Sequence, residues 1–335
     1  MAYKWRTLPG NQFNEISGEW DNLNRETFNS PILESRFVEP AINFFGDKDE
    51  VIAICRKENH TVAMGVFKKY KFGCWSTFQP SQAPIGFWLC RPDVKTEDAL
   101  LSLAKSLPSI CLLISILQLD DNLVAKPDDN AKIATLDYID TARISLDTDY
   151  ETYFQCRSKN TKKAIRKQHN KLNSQALTTR LEVITDPNDI SDAIKQYGEL
   201  ESAGWKSETQ TAINAENTQG KFYSKILTEF CHTGNGIIFK YWIGDDVAAM
   251  DLCIGSEDSI VILKTTYDEQ LAEYSPALIM HNDLFKYFFG NSEFKTIEFY
   301  GKVMNWHKKW SDDFRGIYHV NFYKYNFLAK LHNKH

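Results

Sequence analysis

The chain has 335 residues, 43% of them hydrophobic and 25% charged, with a formal net charge of −5. That length exceeds one ordinary compact domain and falls short of three, so two domains with separate cores are expected. The negative balance argues against a protein that coats nucleic acid or anionic membrane over its whole surface, while leaving room for a local basic patch. No charged segment followed by an apolar run opens the chain, and apolar stretches such as residues 110–117 are far short of a membrane span. The seven cysteines are scattered, form no CxxC pair and share no zinc spacing with histidine. Buried free thiols in a reducing compartment are the simplest account, which points to the cytoplasm and to no metal.

In the first half, residues 51–55 and 61–67 are β-rich runs joined by the polar connection Arg56-Lys57-Glu58-Asn59-His60. Residues 75–89 are aromatic and punctuated by proline, as in short strands with ordered loops. A helical apolar pattern (Ala99, Leu100, Leu103, Ala104) follows over 96–106, then a strand at 110–117 and a loop at 120–130.

The second half repeats this logic. Residues 188–202 carry helical periodicity at Ile190, Ala193, Ile194, Tyr197 and Leu200, and 220–231 carry it at Phe222, Ile226, Leu227 and Phe230. Runs at 236–243, 247–254 and 259–267, separated by Gly/Asp turns, read as a three-strand antiparallel meander. Ser275-Pro276 then opens a helix to Phe289, with serine suited to the cap and proline to the first helical position. Strands close the order at 295–300 and 317–323. Between the halves, residues 157–171 hold seven Lys or Arg and no acid. This segment is either a solvated helix or a patch that receives phosphates of a donor or an anionic acceptor.

From Glu201 onward the pattern becomes specific. Glu201-Ser-Ala-Gly204-Trp205-Lys206 with Thr211-Ala212-Ile213 resembles a signature of the CelD-like branch of the GNAT superfamily, itself related to the Fem peptidyl transferases. Lys264-Thr265-Thr266-Tyr267-Asp268-Glu269 on the third meander strand resembles that branch as well. So do Ser275-Pro276-Ala277-Leu278 at the helix start, the basic stretch 158–172, and Tyr300-Gly301 with Lys308, Lys309 and Trp310. These blocks fall in order over residues 158–310. The resemblance implies a mixed α/β fold of two tandem GNAT-like domains, each a mostly antiparallel twisted sheet flanked by helices. A degenerate domain over 1–145 would precede a catalytic domain over 146–335, whose basic helix spans 157–172.

The implied activity is direct transfer of an acyl group, acetyl above all, from acetyl-CoA or another acyl-CoA to an amine or hydroxyl. The acceptor would be a small molecule or sugar precursor. Such transfer requires deprotonating the nucleophile, polarising the thioester carbonyl and holding the donor's phosphates. Glu201 is the candidate general base, where burial beside an indole would suit it; the alternative is an ordinary exposed ion pair. Lys264 either faces solvent or aims a cation into the cleft, with Asp268 as its partner. Tyr267 either protonates the leaving thiolate or belongs to the core.

Asp251, in an otherwise apolar strand, either faces solvent or anchors the acceptor. Trp205 is either a wall for the acceptor or a core residue, while Lys206, Tyr300, Lys308 and Trp310 enter as cleft-rim residues through the resemblance alone. His281, on the long helix, reads as structural. The helix start at Ser275, Pro276, Ala277 and Leu278, together with Lys163 and Arg166, would hold the donor. One departure bears on this. Glu273 and Ser275 stand where the family's phosphate loop carries glycines, and a glutamate there repels phosphate. An acyl carrier protein or a charged tRNA therefore remains an alternative donor, as does a non-catalytic binding module.

Overall fold

The structure is a computed structural model and describes residues 3–203, 213–291 and 293–332. In chain order the elements are β1 (Lys4–Pro9), α1 (Ser17–Thr27), α2 (Ser35–Phe45), β2 (Val51–Lys57), β3 (His60–Lys71), β4 (Gly73–Thr77), β5 (Trp88–Cys90), α3 (Thr96–Ser106), β6 (Cys111–Asp120) and β7 (Ile133–Ser145). They continue as α4 (Tyr150–Gln155), α5 (Lys159–Ser174), β8 (Thr179–Ile184), α6 (Ile190–Ala203), α7 (Thr218–His232), β9 (Gly236–Ile243), β10 (Asp246–Gly255) and β11 (Ser259–Tyr267). The chain closes with α8 (Pro276–Asn291), β12 (Thr296–Glu298), α9 (His307–Trp310), β13 (Asp313–Tyr323) and α10 (Asn326–His332).

Two compact units result. The first comprises Met1–Thr141, Gly301–Val303 and Phe314–His335; the second comprises Ala142–Tyr300 and Met304–Asp313. In the first, strands run in the order β1-β2-β3-β4-β6-β13-β7, with β5 on β3. The connection expected between β2 and β3 is a tight turn, Glu58 and Asn59 both taking positive φ (52° and 68°). Such turns match the twist of the flanking strands. Trp20 of α1 is fully buried and donates its indole N–H to the Leu33 carbonyl at 2.6 Å.

The second unit runs from the end of β7 through β12, β11, β10 and β9 to β8. The meander and its flanking helices form where the periodicity placed them. The face of α6 is built from Ile190, Ala193, Ile194 and Tyr197, each at most 1% exposed. Both units show one order: a strand, two helices, three antiparallel strands, a helix, and a strand parallel to the third of the meander. The parallel pairs are β4 with β6 and β11 with β12. This is a mixed α/β fold in tandem, with mostly antiparallel sheets flanked by helices.

One strand differs from expectation. The strand at 317–323, read above as closing the second half, is β13, and it pairs with β6 in the first unit (Ile317↔Asp120 to Tyr323↔Leu113). The end of β7 meanwhile pairs with β12 in the second (Ser145↔Thr296, Ile144↔Ile297, Arg143↔Glu298). Each unit's closing strand thus comes from the other half of the sequence. Tyr318, Val320 and Phe322 of β13 join the buried cluster that holds Trp75, Leu100 and Ile114. At the same strand Arg315 grips Asp120 with Nε and Nη2 at 2.8–2.9 Å, both side chains being almost completely buried.

Arg315→Met should therefore leave a buried carboxylate without its counter-ion. The expected loss is about 3–5 kcal/mol, read as a lowered urea midpoint for the first unit. An unchanged midpoint would show that the pair does not hold β13.

Candidate active site

The geometry starts from a strand that leaves its neighbour. β11 pairs with β10 along its whole length, but β12 follows β11 for only three residues: Ser259↔Thr296, Ile260↔Ile297 and Val261↔Glu298. Beyond Val261, β11 continues to Tyr267 with no register partner on β12, so a gap opens between two parallel strands. Past the end of β12, Phe299 donates its N–H to the Ala142 carbonyl at 3.2 Å and buried Tyr300 takes a left-handed φ of 51°. That conformation costs a non-glycine residue roughly 1 kcal/mol and turns the chain away. The register of β11 also slips here: Leu252 faces Lys264 and Cys253 faces Ile262, which leaves Leu263 as an extra bulged residue. A bulge takes backbone groups out of the ladder and re-aims them.

The start of α8 lies at the end of this strand. Pro276 takes the first helical position, as expected, and the Ser275 carbonyl accepts from the Leu278 N–H at 3.0 Å. Residues Glu269–Tyr274 form a 3-10 turn in place of a glycine loop. Asp268 caps that turn by accepting the Gln270 N–H at 2.8 Å, which gives it a structural task. Ser275 nevertheless keeps the left-handed backbone (φ 51°) that glycine adopts without strain.

The basic helix α5 contacts this corner. Gln168 Nε2 donates to Ser275 Oγ at 3.1 Å, and Lys171 Nζ meets Glu273 Oε2 at 2.6 Å while lying over the Tyr274 ring. The carboxylate that threatened to repel phosphate is thus neutralised by a lysine. Thr161, Ile165 and Leu172 bury one stripe of α5, and Lys159, Lys163, Arg166 and Lys167 are exposed. Ala277 and Leu278 are half-buried.

Glu201 sits one turn after Tyr197 on the buried face of α6 and is 3% exposed. Its Oε2 accepts the Ile213 N–H at 2.7 Å, so the carboxylate is a core group. Tyr223 of α7 is beside it. Burial pushes the Tyr223 hydroxyl well above the usual phenol range, and the charge of Glu201 pushes it further. Tyr197 is shifted the same way, by burial first and then by Glu201, Tyr223 and Asp251. Lys264 Nζ lies 5.9 Å from the Tyr223 ring centre. Glu201 and Lys264 therefore share Tyr223 as a neighbour. The Tyr197 hydroxyl is fully buried and has no hydrogen-bond partner among the described residues. Tyr267, at the far end of β11, is 41% exposed, so it is no core residue. Trp205 and Lys206 lie outside the described residues.

Asp251 does not face solvent. It is fully buried, and its Oδ2 is 3.0 Å from Nε2 of His281 on α8. The His281 ring stacks on Phe285 and on Trp306, and Trp306 stacks on His307 with ring centres 3.6 Å apart. His307 Nδ1 accepts the Met304 N–H at 2.9 Å. Trp310, expected on a cleft rim, is instead core. It is 1% exposed, packs edge-on against Phe285, and its carbonyl accepts from the Tyr153 hydroxyl and from Arg157. Lys308 is exposed. No group of three or more His, Cys, Asp or Glu among the described residues is placed to hold a metal ion.

Residues 159–308 match the family model of the acetyltransferase (GNAT) domain. This segment is a GNAT domain. Three solved structures share the fold over nearly the whole chain. FemX aligns with a TM-score of 0.60 at 10% identity, covering 94% of this chain and 98% of its own. The C-terminal domain of a putative lysylphosphatidylglycerol synthetase from Agrobacterium fabrum aligns at 0.59 and 10%, covering 96% and 95%. L-PGS from Bacillus licheniformis aligns at 0.55 and 14%, covering 94% and 93%. At such identities the likeness is one of fold. No curated protein sequence matches the chain.

Several residues of the GNAT domain's interior were not singled out from sequence. Tyr197 had a signal, its place four residues before Glu201 on one helical face. The Leu263 bulge and Tyr223 had none, because both lie within ordinary apolar runs. His307 shows what burial does here: desolvation first, then the neighbouring His281, lowers its pKa from about 6.5 to about 4. The unfolded chain then binds the proton that the folded one refuses, so stability present above pH 6.5 is lost as pH falls toward 4. His307→Asn keeps an acceptor for the Met304 N–H and should flatten the fall in urea midpoint between pH 6.5 and 4.5. An equally steep fall in the variant would remove His307 as its source.

Proposed function

We propose that the GNAT domain transfers an acyl group directly from a thioester donor, an acyl-CoA or a carrier-linked acyl chain, to an amine or hydroxyl. The acceptor is a small molecule or sugar precursor. The observation that carries this reading is the three-residue pairing of β11 with β12. It leaves a slot between parallel strands that a narrow acyl-pantetheine arm fits, with bulged backbone on one wall and a helix start at its end.

In this reading the acceptor's nucleophile gives its proton to the Glu201 carboxylate and attacks the thioester carbon. Backbone N–H groups at the Leu263 bulge hold the oxyanion that forms. The carbon–sulfur bond then breaks, and Tyr267 donates a proton to the departing thiolate. Lys264, over the Tyr223 ring, supplies positive charge near the reacting centre. Seven free thiols support a cytoplasmic setting. Glu201→Gln retains an oxygen for the Ile213 N–H, so the fold should survive while turnover falls roughly a hundredfold. Turnover equal to wild type would remove Glu201 as the base.

The mouth of the slot favours a second reading of the donor. A 3-10 turn and an ion pair stand where a glycine loop would cradle pyrophosphate, and α5 presents exposed cations beside it. An aminoacyl-tRNA donor, of the kind the Fem resemblance implies, suits that arrangement. In either case the donor's anion leans on the N-terminus of α8 and on Lys163, Arg166 and Lys167. Neutralising those three exposed residues should weaken donor binding about tenfold or more at low salt and much less at high salt. Calorimetry with acyl-CoA, acyl carrier protein and charged tRNA at two ionic strengths reads both the donor and the effect. Salt-insensitive binding that survives the substitutions would overturn this assignment of the mouth.

A further inference from the structure

Five of the ten large apolar side chains exposed among the described residues gather at one end of the first unit's sheet: Tyr70, Phe72, Ile110, Tyr325 and Phe327. The topology brings them there. β3, β4, β6 and β13 are neighbours in that order. β3 turns into β4 through Phe72, and Gly73 is in register with Cys111, which places Ile110 at the same end. β13 leaves opposite Leu113, and Lys324 donates its N–H to the Leu112 carbonyl at 2.9 Å, which places Tyr325 and Phe327 there too. Phe72 is 74% exposed and Phe327 60%. Tyr325 and Phe327 stack on each other with ring centres 5.9 Å apart. Large apolar side chains left exposed contribute little to a core, so a set of them gathered at one end of a sheet marks a contact surface.

The charge around this rim decides its partner. Lys69 lies 5.8 Å over the Phe72 ring and Lys324 5.9 Å over Tyr325, with Lys71 exposed between. Residues 69–75, 104–119 and 320–332 contain no Asp or Glu, in a protein with 44 of them. Nearby carboxylates have partners of their own: Asp47 meets Lys68, Glu97 meets Lys132, and Asp129 accepts from Thr135. Aromatic rings with lysine ammonium groups close by are the amphipathic side chains of a membrane interface, where rings sit among headgroups and ammonium groups reach phosphate. No helix of the described residues is long and apolar enough to cross a membrane, so the contact would be peripheral.

We propose that this rim docks the protein onto an anionic phospholipid surface. Tyr70, Phe72, Ile110, Tyr325 and Phe327 insert at headgroup level, and Lys69, Lys71 and Lys324 select negative lipid. The surface lies on the first unit and stands independently of the chemistry proposed for the GNAT domain.

The test is sedimentation of the full chain with vesicles of phosphatidylcholine alone and of phosphatidylcholine containing phosphatidylglycerol. Binding is expected to the anionic vesicles and to weaken as salt rises. The double variant Phe72→Ser, Phe327→Ser should lose about tenfold or more in affinity. The triple variant Lys69→Gln, Lys71→Gln, Lys324→Gln should lose the preference for anionic lipid. These side chains are exposed, so urea midpoints should stay at the wild-type value, and a lowered midpoint would be followed by the milder Phe72→Tyr, which is expected to bind at an intermediate level. Absence of vesicle binding, or binding that all variants retain, would overturn the proposal. So would a concentration-dependent dimer that the aromatic substitutions dissolve, since that would assign the rim to a second copy of the chain.

Discussion

Backbone N–H and C=O groups that leave a ladder inside a folded unit must find other partners, and the second unit is organised around such a departure. β12 stays with β11 for three pairs and then gives up that edge. The loss is tolerated because β12 is held on its other side by the end of β7 and because Phe299 bonds to Ala142. The left-handed Tyr300 prevents the chain from resuming the pairing. On β11 the bulge at Leu263 falls just after the last shared pair, so the irregular backbone of both strands is concentrated in one place. Chemistry that needs preorganised donors is best placed where the fold already re-aims its backbone.

The first unit keeps the same frame without the same charges. Its parallel pair β4–β6 extends from Gly73 to Ser76, and its α3 begins with Glu97 and Asp98 in the first turn. Two carboxylates at a helix N-terminus satisfy the dipole internally and repel an incoming anion. In α8 the corresponding first turn holds no acid. The difference is a physical reason for the proposed anionic donor to be assigned to the second unit and not to the first.

Much of this was legible in sequence, and the exceptions have a common cause. The meander, α3, α7 and α8 are set by local periodicity and by turn residues, and they form where these signals stand. The pairing of β13 with β6 joins residues about 200 apart in sequence, and no local pattern reports it. Asp251 and His281 are 30 residues apart, so each was weighed alone, and an aspartate in an apolar strand left solvent and acceptor as its options. Trp310 was placed on a rim through the resemblance alone, which says nothing of how the ring turns. On the four-residue α9 the ring turns inward while Lys308 and Lys309 turn out. Glu201 was found through the motif around it. Its burial beside Tyr197 and Tyr223 follows from helix packing that only the fold supplies.

The mouth of the slot shows how a motif can be lost while its geometry is kept. Glycine is used in a phosphate loop for two separable reasons: it permits left-handed backbone, and it leaves room for phosphate to approach. Ser275 retains the first property at a cost of roughly 1 kcal/mol. The second is given up, since Glu269–Tyr274 close into a capped turn. Glu273 would then oppose any anion, but Lys171 offsets its charge and Gln168 ties Ser275 to the same helix. In the proposed reading, recognition shifts from backbone amides, which fit one phosphate geometry, to side-chain cations on α5, which tolerate many. A donor site built this way would discriminate less by the shape of the phosphates than by their charge.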